Sequence, residues 1–226
     1  MIADYGADTA RLYALFAAPP AKDLEWNDQG VEGISRFVSR LYRFVTRNAE
    51  RVRGSGAPDA SAKIDRDIRR KLHQTIRKLT MEFEERWHFN TCIAAIMELL
   101  NDLSAIEAEV SPSVLSEALD TLALLLAPIA PFLAQELWQE LGHESMLLRE
   151  SWPVFDPALA AAEEFEVVVQ VNGRPRSHIM VPPGCSKEDT EARAKADPRI
   201  AEMIAGKRVI KVVVIPDKLV NVVVQG

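Results

Sequence analysis

Arginine is the residue type whose spacing in this 226-residue chain could do chemistry. Arg36, Arg40, Arg43, Arg47 and Arg51 follow one another at steps of three and four, which lines them along one face of a helix. Arg66, Arg70, His73 and Arg77 repeat the pattern further on. Guanidinium groups in a row repel one another, and an anionic partner would relieve that cost. Such rows leave three readings open: a solvated surface, contact with the backbone of RNA or another polyanion, or a docking face for an acidic protein. Groups for covalent or acid–base chemistry do not gather. His73, His88, His143 and His178 are isolated, while Glu84/Glu85 and Glu163/Glu164 are sequence neighbours that point apart on a helix. No Ser/His/Asp order, metal-ligand spacing or phosphate loop stands out, so no catalytic, cofactor-binding or metal-binding residue is nominated. Cys92 and Cys185, far apart in sequence, read as reduced structural thiols of a cytosolic protein.

The net charge of −6 hides an asymmetry. Residues 31–80 carry thirteen Lys or Arg against five acids, and residues 165–226 carry ten against seven, so the remainder is strongly acidic. A protein of that kind can hold a polyanion locally without being adhesive everywhere. No apolar run is long enough to cross a bilayer, because Leu122 to Leu133 is short and broken by Pro128 and Pro131. No signal-peptide pattern opens the chain.

The elements that must position the arginines follow from apolar spacing. Val31 to Arg53 is an amphipathic helix with Ile34, Phe37, Val38, Leu41, Val45 and Val52 on its buried face. A loop at Gly54–Pro58 precedes a second helix from about Ala62 to Trp87, whose buried stripe reads Ile64, Ile68, Leu72, Ile76, Leu79, Phe83 and Trp87. Next comes a helix with Ile93, Ile96, Met97, Leu100, Leu103 and Ile106 on one stripe. Asn90 or Thr91 is its expected cap, and Ala94 and Ala95 leave room for close neighbours. Such a helix belongs in the middle of a bundle. Ser111-Pro112 opens another, apolar on nearly every side, which Pro128 and Pro131 break before it resumes to Trp138 and stops at Gly142. Leu115, Leu119, Leu122, Leu126, Phe132 and Trp138 are its core candidates. At the front, Asp8 is expected to cap a short helix that runs to Phe16 and is ended by Pro19-Pro20.

Residues 145–164 read as an exit strand and a proline-bearing linker, and after them the period changes. Phe165–Val171 is β-branched, Asn172-Gly173 is a hairpin signal, and Arg174–Val181 returns until Pro182-Pro183-Gly184. Ser186 to Asp189 is a capping-box-like helix start, and Pro198 begins a helix ending at Gly206. Strands Arg208–Ile215 and Lys218–Gln225 flank Pro216-Asp217. The fold class is therefore α + α/β: a helix bundle followed by a small β-β-α-α-β-β module.

Several of these stretches carry a resemblance. Phe89-Asn90-Thr91, Ile93-Ala94-Ala95 and Met97-Glu98-Leu99-Leu100-Asn101, with Ala127-Pro128-Ile129-Ala130-Pro131-Phe132 and Glu136-Leu137-Trp138, resemble the helical anticodon-binding domain of class I aminoacyl-tRNA synthetases. Tyr5 to Leu12, Phe16 to Pro20, Asp23-Leu24-Glu25-Trp26, Val169 to Arg176, Gly206 to Lys211 and Lys218 to Asn221 resemble the bacterial-type leucyl branch of that family, downstream of its ATP-binding loop. Arg174-Pro175-Arg176 departs from the branch's frequent Lys-Leu-Arg, and Pro175, without an N–H, is expected at a sheet edge.

The resemblance implies a C-terminal piece of a ligase that joins leucine to tRNA(Leu) with ATP and Mg. On that resemblance the catalytic and editing domains belong to other parts of the same polypeptide, and the piece is expected to be inactive alone, to hold no cofactor, and to work in the cytoplasm as a monomer. It implies residues 1–30 as a remnant of the connection after the catalytic domain, 31–155 as the helical tRNA-binding domain, 156–164 as a linker and 165–226 as a C-terminal tRNA-binding domain. The expected phosphate contacts are Arg36, Arg40, Arg43, Arg47, Arg66, Arg70 and Arg77 in the bundle. In the terminal module they are Arg174, Arg176, Lys207, Arg208, Lys211 and Lys218. The other class kept open is a free-standing RNA-binding or interaction module without ligase activity.

Overall fold

The computed structural model describes residues 2–18, 27–161, 165–182, 185–216 and 218–225. The expectations for Pro19-Pro20, Asp23–Trp26, Pro183-Gly184 and Asp217 lie outside these. The chain divides into two compact units, Met1–Ala160 and Ala161–Gly226.

The first unit is helical: α1 (Ile2–Tyr5), α2 (Ala7–Ala17), α3 (Asp28–Val52), α4 (Lys63–Met81), α5 (Phe89–Ala105), α6 (Pro112–Leu126), α7 (Pro131–Glu140) and α8 (Pro157–Ala160). α5 is central as its pattern predicts. Ile93, Ile96, Leu99, Leu100 and Leu103 are wholly buried, and the helix packs on α2, α3, α4 and α6. Each such side chain contributes about 2 kcal/mol on removal from water. Its start differs from expectation. Neither Asn90 nor Thr91 caps it: the N-cap is His88, with no side-chain hydrogen bond, and Asn90 Oδ1 is buried without a partner.

α3 begins at Asn27, whose side chain accepts from the amides of Gln29 and Gly30. Tyr13 of α2 braces this start. Its hydroxyl accepts from the Asn27 amide at 2.8 Å, and its ring lies so close to Gly30 that a Cβ there would sit 2.8 Å from Cε2. Only glycine fits that crossing.

Asp8 does not cap α2, whose N-cap is Gly6. Its carboxylate instead accepts from the Leu133 amide at 2.5 Å, in the first turn of α7. One turn along α2, the Arg11 guanidinium donates to the Pro128 and Ile129 carbonyls at 3.2 and 3.1 Å. The proline break between α6 and α7 is thus clamped from outside by two residues of α2. The break also resets the helical phase: Phe132, expected in the core, is 71% exposed, whereas Trp138 is buried.

α4 ends sooner than Trp87. After Met81 the chain widens into a π turn over Glu82–Arg86, closed by the Trp87 amide on the Glu82 carbonyl at 2.7 Å. Trp87 then takes a left-handed φ of 58°, and its side chain, expected on the buried stripe, is 61% exposed. Residues 145–161 form no strand: a 3₁₀ turn at Leu147–Arg149 and α8 are their only regular elements.

The second unit contains β1 (Phe165–Val171), β2 (Arg174–Val181), α9 (Lys187–Ala196), α10 (Pro198–Ile204), β3 (Arg208–Ile215) and β4 (Leu219–Gln225), in the expected order. The sheet runs β2-β1-β4-β3, with antiparallel hairpins at either side and β1 parallel to β4 in the middle. Asn172 and Gly173 both have positive φ, 50° and 76°, the requirement of a type I′ turn. Val167, Val169, Val220 and Val222 are buried on the face that α9 and α10 cover. Pro175 lies on the edge strand β2, next to a register shift. Asp197 caps α10 and accepts from the Ser177 hydroxyl at 2.9 Å, which fastens that helix to the sheet.

Candidate nucleic-acid interface

The α3 arginines divide into two groups. Arg36, Arg40 and Arg43 are exposed. Arg36 approaches Glu32 of its own helix at 3.7 Å, and Arg43 Nε donates to the Ser39 carbonyl at 3.1 Å. Among the described residues Arg40 has no acid partner. Arg47 and Arg51 are otherwise engaged. Arg47 grips Glu107 with two bonds of 2.7 and 2.5 Å, the Asn48 amide adds a third of 2.7 Å, and Arg51 donates to the Glu107 and Val110 carbonyls. Partial burial pushes the Glu107 carboxyl up, but the bonds from Arg47 and Asn48 and the two nearby guanidinium charges outweigh it and hold its pKa low. The expected contact Arg47 therefore staples the turn after α5, leaving three arginines of the row open.

The α4 row is not one open face. Arg66 is exposed and donates to the Ser61 carbonyl at 2.6 Å; Arg70 is mostly buried and pairs with Asp67 at 2.9 Å; Arg77 is exposed without an acid partner among the described residues. His73, expected between them on the same surface, is buried. The segment from Trp152 to Ala160 runs over it. The Asp156 amide donates to His73 Nδ1 at 3.0 Å, Gln74 donates to the Ala160 carbonyl at 3.0 Å, and Trp152 Nε1 donates to Thr80 at 2.9 Å. Burial holds the His73 pKa down, against the opposing pull of Glu117. α3 packs on α2, α5, α6 and α7, while α4 packs on α5, α6 and α8, so the helices that carry the two rows are not a closely packed pair.

Beside the open part of α3 lies a cleft of about 730 Å³, lined by Ser35, Arg36, Val38, Ser39, Tyr42 and Arg43 with Leu133 and Glu136 of α7. The Glu140 charge, with Glu136 behind it, holds the Tyr42 phenol above its ordinary pKa. The cleft's second wall is invisible to sequence reasoning. The only signal on α3 is Ser35, Ser39 and Tyr42 running parallel to the arginines at steps of four and three.

In the second unit Arg174 and Arg176 of β2 meet Lys207, which precedes β3, around a hollow of about 440 Å³ floored by Val171, Met203 and Val224. Arg208, Lys211 and Lys218 are also exposed. Lys211 pairs in register with Val223, on the sheet face opposite Val222 and Val224, and so does not join that hollow. Among the described residues no group of three His, Cys, Asp or Glu could hold a metal ion, and no helix is long and apolar enough to cross a membrane. Cys92 is buried, which pushes its thiol up to about 11 and makes it a poor nucleophile.

A helical bundle with arginines on open faces, followed by a small basic α/β unit, has the placed cations of a polyanion-binding class of protein. A family model described as the anticodon-binding domain of tRNA ligase matches residues 65–191, more than half of the chain, and the chain belongs to that family. Its curated relatives include the leucine–tRNA ligase of Solibacter usitatus, 50% identical over 226 residues, and that of Syntrophobacter fumaroxidans, 49% identical over 232. These alignments cover 100% and 99% of the chain but only 27% and 28% of the relatives, so the chain spans little more than a quarter of their length. Among solved structures, a ternary complex of the Agrobacterium radiobacter K84 agnB2 LeuRS with tRNA and LeuAMS matches with a TM-score of 0.87 at 32% identity. That match covers 100% of this chain and 30% of the other.

Proposed function

We propose that this chain is the tRNA-holding portion of a leucine–tRNA ligase, acting in the cytoplasm on tRNA(Leu) as part of a monomeric enzyme. The observation that carries the reading is the match to leucine–tRNA ligases over the whole chain, at up to 50% identity among the relatives above. Residues 31–155 and 165–226 are the two tRNA-binding parts, and of the segment 156–164 between them residues 156–160 pack with the first unit. Activation of leucine with ATP and Mg belongs to the rest of such a ligase.

What this chain's residues supply is position. Arg36, Arg40 and Arg43 stand on a 25-residue helix whose apolar face is locked into the core, so their spacing is set before RNA arrives. Guanidinium groups bind phosphate oxygens in pairs of parallel hydrogen bonds, which suits a helix that follows a backbone and does not read bases. Arg66 and Arg77 of α4 add exposed cations on a second helix of the bundle. Arg174, Arg176 and Lys207 converge in the second unit, with Arg208, Lys211 and Lys218 nearby in sequence. Arg47 and Arg70 contribute mainly by holding the bundle together.

The test is a titration of the 226-residue chain against leucine tRNA and an unrelated tRNA at low and moderate salt. Tighter binding to leucine tRNA that weakens steeply with salt supports the reading. Absence of binding even at low salt overturns it.

A further inference from the structure

The cleft between α3 and α7 carries opposite charges that do not neutralise each other. One wall presents Arg36 and Arg43 with the Ser35 and Ser39 hydroxyls; the other presents Glu136, one turn before Glu140. Among the described residues neither arginine is ion-paired with either glutamate, and the acid contact of Arg36 is Glu32 on its own helix. Phe132 stands one turn before Glu136 on the same face of α7 and is 71% exposed. This wall is preset, because Asp8 and Arg11 clamp the start of α7 and the break before it.

Cations and a carboxylate line about 730 Å³, and the bare Phe132 ring, one turn along α7 from Glu136 and outside that lining, completes a set that matches the parts of a nucleotide. Its phosphate suits the guanidinium groups, a donor-bearing base edge suits the carboxylate, and its ring plane suits the aromatic. We propose that the cleft takes one unpaired guanosine of the bound RNA, with its phosphate on Arg36 and Arg43, its base stacked on Phe132 and its N1–H and N2 amino group on Glu136. Guanine is the base with two adjacent donors for the two oxygens of one carboxylate; uracil has one N–H there, and adenine and cytosine a single amine. The assignment deepens the reading of the chain as an RNA-holding domain and rests on it.

The test uses the full chain and three RNA hairpins: one fully paired, one with a single bulged guanosine and one with a bulged uridine. The bulged-guanosine hairpin is expected to bind roughly ten-fold tighter than the paired one. Phe132→Ala, a change at an exposed side chain, brings it to the paired level, while Glu136→Gln removes the preference for guanosine over uridine. Arg43→Ala weakens all three hairpins alike. Equal binding of the three hairpins by the unaltered chain overturns the guanosine site. So does a Phe132→Ala variant that keeps the preference. Failure to bind any hairpin or tRNA overturns the RNA-holding reading itself.

Discussion

Glu107 sits where Arg47, Asn48 and Arg51 converge, and its depressed pKa makes acid stability a direct readout of that staple. A carboxyl held below its ordinary value of 4.5 contributes stability that is present above that value and lost as pH falls through the lower folded one. Unfolding midpoints followed from neutral pH to below 4 should therefore drop for the unaltered chain, and Glu107→Gln should flatten that part of the profile. At neutral pH the variant should be about 1–3 kcal/mol less stable, because it trades charge-assisted bonds for ordinary ones. Asp8 offers a second test. Removing its bond to the Leu133 amide in Asp8→Ala should cost about 1–2 kcal/mol in urea unfolding, the scale of a lost helix cap. Both residues show what local spacing does not reveal. Arg47 and Arg51 have the periodicity of a surface row, but their partner lies some sixty residues downstream. Asp8 has the position of a cap for its own helix, but a donor 125 residues away takes it. Spacing misplaces Trp87 because one π turn carries an extra residue, and a stripe counted in fours then points outward.

At the scale of elements, apolar periodicity is an accurate guide wherever a helix runs uninterrupted, as in α3, α5 and α6, and it fails at the two interruptions. The π turn after α4 and the proline break before α7 each reset the phase, exposing Trp87 and Phe132. The second unit is legible for a different reason: Asn172-Gly173, Ser186 and Asp197 are local signals whose partners are close in sequence or geometry. The strap from Trp152 to Ala160 reads in sequence as a strand and linker because nothing in its own composition names α4 as its partner. Its His73 latch has a defined pH sign. Burial lowers the His73 pKa, so the folded state binds the proton less well than the unfolded chain; this stability is present above 6.5 and declines as pH falls through the folded value. Protonation also competes for Nδ1, the acceptor of the Asp156 amide. Hydrogen exchange should accordingly show the protection factor of the Asp156 amide falling between about pH 7 and 5, after correction for intrinsic rates. His73→Gln should remove that pH dependence.

For the whole molecule, an acidic net charge coexists with cations placed on rigid elements, and this is the electrostatic arrangement a selective RNA holder needs. The basic bias of residues 31–80 is plain in the sequence, but its division is not. Packing diverts Arg47, Arg51 and Arg70 into the protein's own contacts and puts the α3 and α4 rows on different neighbours. The central claim is that the open arginines of α3 hold phosphates. The direct measurement is the affinity for leucine tRNA across a salt series, for the unaltered chain and for a variant with Arg36, Arg40 and Arg43 all changed to Ala. Each phosphate contact contributes about 0.7–0.9 to the slope of log affinity against log salt. The triple variant should bind more weakly at low salt with a slope shallower by about two, while its unfolding midpoint stays close to that of the unaltered chain. An unchanged slope in a folded variant would contradict the claim and leave those three arginines as solvated surface.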